Sequence, residues 1–255
     1  LMEFDPFFNF RATEYIVEHG FTEYFQWHDT KSWYLPENSP DISSGRNVSA
    51  TSQSMLHFTA AITYEIFGGN SSLYDFTILF PAVIGSLTVI VIFGLVRVFG
   101  GTTAGLFASL LFAVSLPILI RGTIGWFKSE PLGIFYALLG LYLFFSGIRS
   151  KNKKIAFSKI ILGGIVMTFA MASWGGIQFF IIPLGLFILA LPFVRKDHKF
   201  LIWSVTLFAG TFLLSAIMFE RPGFNFVFGL GGISLIIPTI FLVLCIFIQK
   251  ISKDK

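Results

Sequence analysis

In a chain of 255 residues, 55% are hydrophobic, 18% aromatic and only 13% charged, about half the charged share of a soluble domain. That balance excludes a water-soluble enzyme core and points to an all-α integral membrane protein. The net charge of +4 is no argument for nucleic acid because it divides by sidedness, and a single Cys245 inside an apolar run excludes a disulfide framework.

The chain starts on Glu3-Phe-Asp5-Pro6-Phe-Phe-Asn9-Phe-Arg11. With Phe7, Phe10, Glu14 and Val17 following, this predicts a short helix with Asp5 at the N-cap, Pro6 at N1 and Gly20 as the stop. Residues 21–52 mix aromatics with turn formers, through Trp27, Trp33 and Tyr34 to Gly45-Arg46-Asn47, and read as an ordered loop too aromatic for a disordered linker. Residues 53–67 place Met55, Phe58, Ile62 and Ile66 at helical spacing, with His57 and Glu65 off that stripe. At about 15 residues this helix suits the membrane interface and is too short to span. Residues 1–74 are therefore expected to form an external loop with interfacial helices, and residues 75–255 a transmembrane region. A charged loop of this length, crossing with no apolar leader before Leu1, implies a further span upstream, and the abrupt Lys250–Lys255 end implies continuation downstream.

Seven apolar runs of spanning length follow, at approximately 75–98, 101–120, 131–148, 156–173, 177–194, 200–218 and 230–249. Alternate connections, including Arg97, Arg149, the lysines from Lys151 to Lys159, Arg195 and the C-terminal lysines, hold twelve of the Lys and Arg against two acids. The other side, with residues 1–74, holds six against twelve acids. The basic side is cytoplasmic by the positive-inside rule, so residues 1–74 lie outside.

A second external turn, Arg121-Gly-Thr-Ile-Gly125-Trp126-Phe127-Lys128-Ser129-Glu130-Pro131, again sets a carboxylate before a proline at a helix start. The positive end of a helix keeps an acid ionised, which suits a hard divalent cation and equally suits a helix cap. For Asp5 and Glu130 both readings stay open on spacing alone. Arg11 either pairs with an external acid or supports the carboxylates. Arg46 and Arg121 meet lipid headgroups or a bound phosphate. The four histidines show no zinc-site spacing. Two Asn-x-Ser sequences, at Asn47 and Asn70, are too short a pattern to assign as modification sites.

The run from Glu3 to Tyr15, with Ser32-Trp33-Tyr34 and Gly45-Arg46 downstream, resembles the first external loop of the catalytic subunit of oligosaccharyltransferase, the STT3/AglB/PglB family. The resemblance implies a GT-C type membrane glycosyltransferase fold truncated at both ends. It also implies transfer of a glycan from a lipid-linked oligosaccharide, on a dolichyl or polyprenyl carrier, to Asn in an Asn-x-Ser/Thr acceptor polypeptide. Asp5 matches the family's first-loop aspartate, and Glu130 matches one acid of its second-loop motif; together they would be catalytic and hold Mn2+ or Mg2+. Lys128 stands where the family has the first acid of that motif. The expectations for it are a register slip, a site with fewer ligands, or a contact from Lys128 to donor phosphate. Arg46 and Arg121 would share that phosphate, and Arg11 would support the site. The family's later acceptor-recognition loop and Trp-Trp-Asp-Tyr-Gly segment have no counterpart in these residues. The expected setting is a prokaryotic, for preference archaeal, cell membrane with the site outside, or the endoplasmic reticulum.

Rival readings are another polyprenyl-phosphate-sugar transferase, a non-catalytic homologue, and a transporter. No charge falls at the centre of a predicted span, which weighs against an ion pathway.

Overall fold

The computed structural model describes residues 4–32, 45–194 and 198–253; Glu3, Trp33, Tyr34, Arg195 and Lys196 of the sequence reading lie outside the described residues. The apolar runs are helical, in α4 (Leu73–Ala113), α5 (Leu116–Arg121), α6 (Ser129–Ile148), α7 (Lys153–Ser173), α8 (Gln178–Val194), α9 (His198–Ala216) and α11 (Leu230–Lys253), with a short α10 (Gly223–Phe228) before the last. Among the described residues five helical stretches are long and apolar enough to cross a membrane, and Phe200–Ala216 is a shorter apolar one.

The difference from seven spans has two equal sources, the short Phe200–Ala216 helix and α4, which merges two runs. Its 41 residues are interrupted at Gly101, whose φ of 79° lies in the left-handed region that glycine enters without strain. A Cβ on Gly105 would meet the Phe93 carbonyl at 2.9 Å. Twelve residues along a straight helix would be about 18 Å apart, so the chain doubles back at Gly101 and the first two runs form an antiparallel hairpin. The second arm breaks again before Pro117, leaving α5 as a separate short helix.

The central helices pack through small residues. Gly133, Gly140 and Gly147 recur every seven residues along α6, and a Cβ there would meet Trp174, the Gly163 carbonyl and the Ala156 carbonyl well inside van der Waals contact, between 2.8 and 3.1 Å. Between apolar helices in lipid there is little hydrophobic drive to associate, so close backbone approach supplies the dispersion contact. Phe144, Met167, Ile181, Phe208, Phe212 and Leu235 fill the core shared by α6, α7, α8, α9 and α11. Large side chains such as Ile90, Leu111, Phe179, Leu214 and Phe247 point outward and stay more than half exposed, as a lipid-facing surface requires. The molecule is a multi-pass membrane protein.

At one end of the bundle sits a small assembly of α1 (Phe4–His19), a 3-10 turn (Glu23–Gln26), a two-residue ribbon of β1 (His28–Asp29) and β2 (Arg46–Asn47), α2 (Val48–Thr51) and α3 (Met55–Phe67). Gly20, at φ 92°, ends α1 as expected. The helix already includes Phe4, so Asp5 lies within the first turn instead of capping it. The α3 stripe is rotated from the sequence reading. Leu56, His57, Ala60 and Ala61 are buried, whereas Ile62 and Ile66 are 45% and 64% exposed. Small residues let α3 lie close against α1, and the bulky Ile edge faces outward. Leu56 and Ala60 then join Phe80, Ile84, Phe127 and Leu132 in a cluster that ties the assembly to α4 and α6.

Candidate functional site

The carboxylate of Asp5 meets the ammonium of Lys128 at 3.1 Å; the lysine side chain is 11% exposed and the aspartate 75%. The two external turns of the sequence reading are therefore joined by this pair. Lys128 is the N-cap residue of α6, and Glu130 lies in that helix's first turn. Glu130 accepts from Arg121 Nη1 at 2.9 Å, so its capping role gives way to an ion pair across the 122–128 turn. Trp126 lies between the cations, with the Arg121 guanidinium 5.0 Å and the Lys128 ammonium 4.5 Å from its ring centre, a stacking that favours a fixed cation position.

Arg11 reaches Asp29 Oδ2 at 2.5 Å, and Asp29 is buried. Burial alone would raise the Asp29 carboxyl, but the hydroxyl of Ser32, the Arg11 guanidinium and the Lys31 amide all donate to it, and together they hold it below its ordinary value. The ribbon pairs Asp29 with Arg46. Gly45, at φ 74°, brings its Cα so near Asp29 that a Cβ would stand 3.1 Å from the aspartate backbone, which accounts for a glycine before Arg46. Arg46 in turn donates from Nε to Thr51 Oγ1 and from Nη2 to Ser52 Oγ, both at 2.8 Å, and lies 4.5 Å over the Phe8 ring. Arg11 and Arg46 thus both meet Asp29, one through its carboxylate and the other through the backbone ribbon.

A buried polar relay holds α1 to the second turn. Tyr24 Oη lies 2.7 Å from His57 Nδ1, His57 Nε2 lies 3.1 Å from Asn9 Oδ1, and Asn9 Nδ2 donates to the Phe127 carbonyl at 2.9 Å. The last bond makes the Asn9 oxygen an acceptor, so Nε2 carries the proton and Nδ1 accepts from tyrosine. Burial, reinforced by the charge of Arg46, pushes the His57 pKa down to about 3, and burial raises that of Tyr24. Sequence reasoning missed this relay. Asn9 was visible only as part of the first motif, and His57 lay off the presumed stripe.

These parts line one cavity of about 400 Å3, with Asp5, Asn9, Arg46, His57, Lys128 and Glu130 on its wall, joined by Gln53, Trp174 and Arg221 from elsewhere. Of the predicted site residues it gathers Asp5, Glu130, Lys128 and Arg46. Arg121 stands behind Glu130 and Arg11 behind the ribbon. Arg221, which donates to the Ala50 carbonyl at 2.9 Å, is a further lining cation that the sequence motifs did not single out. The Mn2+ or Mg2+ implied by the resemblance would take Asp5 and Glu130 as ligands. Each of these already has a cation partner, and the described residues hold no group of three or more His, Cys, Asp or Glu suited to a metal. As arranged, this donor set does not fit a divalent ion, which prefers several oxygen ligands and no neighbouring ammonium.

Fold and site define a polytopic membrane protein with a charged pocket built where two turns meet at one end of an apolar bundle. Residues 1–253 match the family described as oligosaccharyl transferase STT3, N-terminal. The chain belongs to that family. It is 31% identical over 192 residues to a dolichyl-diphosphooligosaccharide–protein glycosyltransferase subunit STT3B of Oryza sativa subsp. japonica, covering 74% of this chain and 25% of the relative. It is 27% identical over 209 residues to the stt-3 subunit of Caenorhabditis elegans, covering 81% and 26%. The chain thus spans about a quarter of these relatives' length. In fold it resembles the oligosaccharyltransferase AglB of Archaeoglobus fulgidus in complex with an inhibitory peptide and a dolichol-phosphate, with a TM-score of 0.75 at 20% identity over 98% of this chain and 30% of that one. A structure of the A. fulgidus oligosaccharyltransferase in complex with Zn and sulfate gives a TM-score of 0.73, again at 20% identity, over 98% and 32%.

Proposed function

We propose that this chain is the N-terminal part of an oligosaccharyltransferase catalytic subunit, which moves a glycan from a dolichyl or polyprenyl carrier to the side-chain nitrogen of Asn in an Asn-x-Ser/Thr acceptor. The observation that supports this reading is the convergence of Asp5 and Glu130 on one pocket whose wall also carries Arg46, Lys128 and Arg221. In the reaction a bond forms between the acceptor nitrogen and the glycan C1. The bond from C1 to the phosphate oxygen breaks, the lipid phosphate or diphosphate leaves with the electron pair, and the proton that the amide gives up passes to the leaving phosphate or to water. Preorganised positive charge beside the leaving group is the largest contribution such a site can make. Arg46, Lys128 and Arg221 supply it, and Asp5 orients Lys128. Arg121 draws on Glu130 and keeps the second turn closed.

In the family, a divalent ion, Mn2+ or Mg2+, would supply further positive charge at Asp5 and Glu130; here it would have to displace Lys128 and Arg121 from them. The pocket faces the outside of the cell membrane, in an archaeon by preference, or the lumen of the endoplasmic reticulum. The test uses the full-length protein with a lipid-linked donor and an Asn-x-Thr peptide. Glycosylated peptide is expected, with Asp5→Ala reducing the rate about 100-fold or more. A folded protein that transfers no glycan would turn the reading toward a non-catalytic homologue, and an undiminished Asp5→Ala variant would remove Asp5 from the site.

A further inference from the structure

We infer that Lys128 is the resident cation of this pocket, taking at Asp5 the position that the resemblance gives to a divalent ion, so that the pocket binds the diphosphate headgroup of a lipid donor without metal. The inference rests on the glycosyl-transfer reading for the class of ligand. The mismatch itself stands on the geometry.

Three observations carry it. The first is that Lys128 is fixed before any ligand arrives. Its backbone amide donates to the Trp126 carbonyl at 2.8 Å, its ammonium lies 4.5 Å from the Trp126 ring centre, and the preceding Phe127 is fully buried with its carbonyl held by Asn9. A lysine placed in this way behaves as a fixed point charge, as lysines do in phosphate sites. The second is that a divalent ion on Asp5 would bind its oxygen at about 2.0–2.6 Å. The Lys128 ammonium lies 3.1 Å from Asp5 Oδ2, so the ion and the ammonium would compete for one carboxylate and repel each other. The third is the charge of the wall. Asp5 and Glu130 face Arg46, Lys128 and Arg221, with Arg121 bound to Glu130 from behind. Lining acids are outnumbered by lining cations, which suits a multiply charged anion and disfavours a free cation.

The exposure of the pair fits this assignment. Asp5 is largely open to the pocket mouth while Lys128 is shielded. A phosphate entering the pocket shares the ammonium with Asp5, whose exposure to water makes a neighbouring anion tolerable at little cost.

The test measures binding of farnesyl diphosphate to the detergent-solubilised full-length protein by calorimetry, in EDTA and again with Mn2+. The affinities are expected to agree within about twofold, to fall about tenfold in Lys128→Met, which corresponds to the loss of one charge-assisted contact, and to be kept in Lys128→Arg. Lys128→Asp is expected to bind the probe only with Mn2+, a gain that also reports a folded variant. Inorganic diphosphate should displace the probe, which marks the headgroup as the recognised part. Wild-type binding that requires Mn2+, an unaltered Lys128→Met, or a probe indifferent to inorganic diphosphate would each overturn the inference. The glycosylation assay is read separately: metal-free probe binding with no transfer removes the transferase reading alone, and transfer with Mn2+-dependent binding removes the Lys128 assignment alone.

Discussion

The helical bundle and the assembly at its end are held by different physics. In the bundle, Gly140 lies against Gly163, and Phe144 packs on Phe208 at 4.5 Å between ring centres. These contacts are non-directional and repeated, and a bundle of this kind tolerates exchange of one apolar group for another of similar volume. In the assembly, Tyr24, His57, Asn9 and the Phe127 carbonyl form a single directed series. Remove one member and a buried neighbour is left unpaired. The lesson is that the scaffold is specified mainly by shape, with the Thr168 bonds to the Phe212 carbonyl and Ser215 as a directed cross-link between α7 and α9, and the site mainly by hydrogen bonds, so the two should fail in different ways.

The largest expected effect breaks the scaffold. Gly140→Leu drives a side chain into the Gly163 carbonyl, 3.0 Å from an added Cβ, and should destabilise the protein by about 3 kcal/mol. Thermal unfolding in detergent would show it as a fall of roughly 10 °C in Tm for a chain of this size. An unchanged Tm would mean that α6 and α7 do not meet there.

A smaller, local effect is expected in the assembly. His57→Ala leaves the Tyr24 hydroxyl and the Asn9 carbonyl oxygen buried without partners, at about 2 kcal/mol. Hydrogen exchange should rise in residues 4–32 and 45–67 while α6–α9 stay protected, and uniform loosening of both regions would erase the contrast drawn above. The same histidine sets a pH dependence. Its folded pKa of about 3 lies below its ordinary value of 6.5, so the unfolded chain takes up a proton first as pH falls. Stability is whole above about pH 6.5 and declines progressively toward pH 3. His57→Gln should flatten that decline, and a decline equally steep in the variant would point to other groups.

The smallest effect concerns Arg121 and Glu130, a pair open to solvent on the arginine side. Arg121→Gln should cost under about 1 kcal/mol and leave Tm within a degree or two, yet loosen Glu130 enough to be seen as weaker probe binding. A large loss of Tm would make the pair structural.

Much of the scaffold was legible in the sequence because lipid imposes a crude rule, a long apolar run between charged turns. Gly20 marked the end of α1, and the break between the runs 75–98 and 101–120 fell at the reversal inside α4. The carboxylates of the two turns could be named from motif resemblance. What escaped was every feature that depends on rotation or on distant partners. The α3 stripe was misjudged because Leu56, Ala60 and Ala61 bury less conspicuously than Ile62 and Ile66, and only contact with α1 decides the face. His57 showed no metal spacing because its partners are Tyr24 and Asn9, 33 and 48 residues away. Arg11 was foreseen as either a salt bridge or a support, and the structure pairs it with Asp29. The pairing of Lys128 with Asp5 could not be foreseen either, since a lysine at a helix start has no preferred acid until the chain has folded.

The bond from Asn9 to the Phe127 carbonyl joins residues 118 positions apart. During synthesis α1 and α3 can close on each other through Ala12, Ile16 and Ala61, but the cluster that joins them to the bundle waits for the hairpin of α4 and the turn after α5. The pocket is therefore completed late, after the neighbouring helices have paired by short-range contacts. Until then Tyr24, His57 and Asn9 can pair among themselves, and only the Asn9 amide waits on a carbonyl not yet translated.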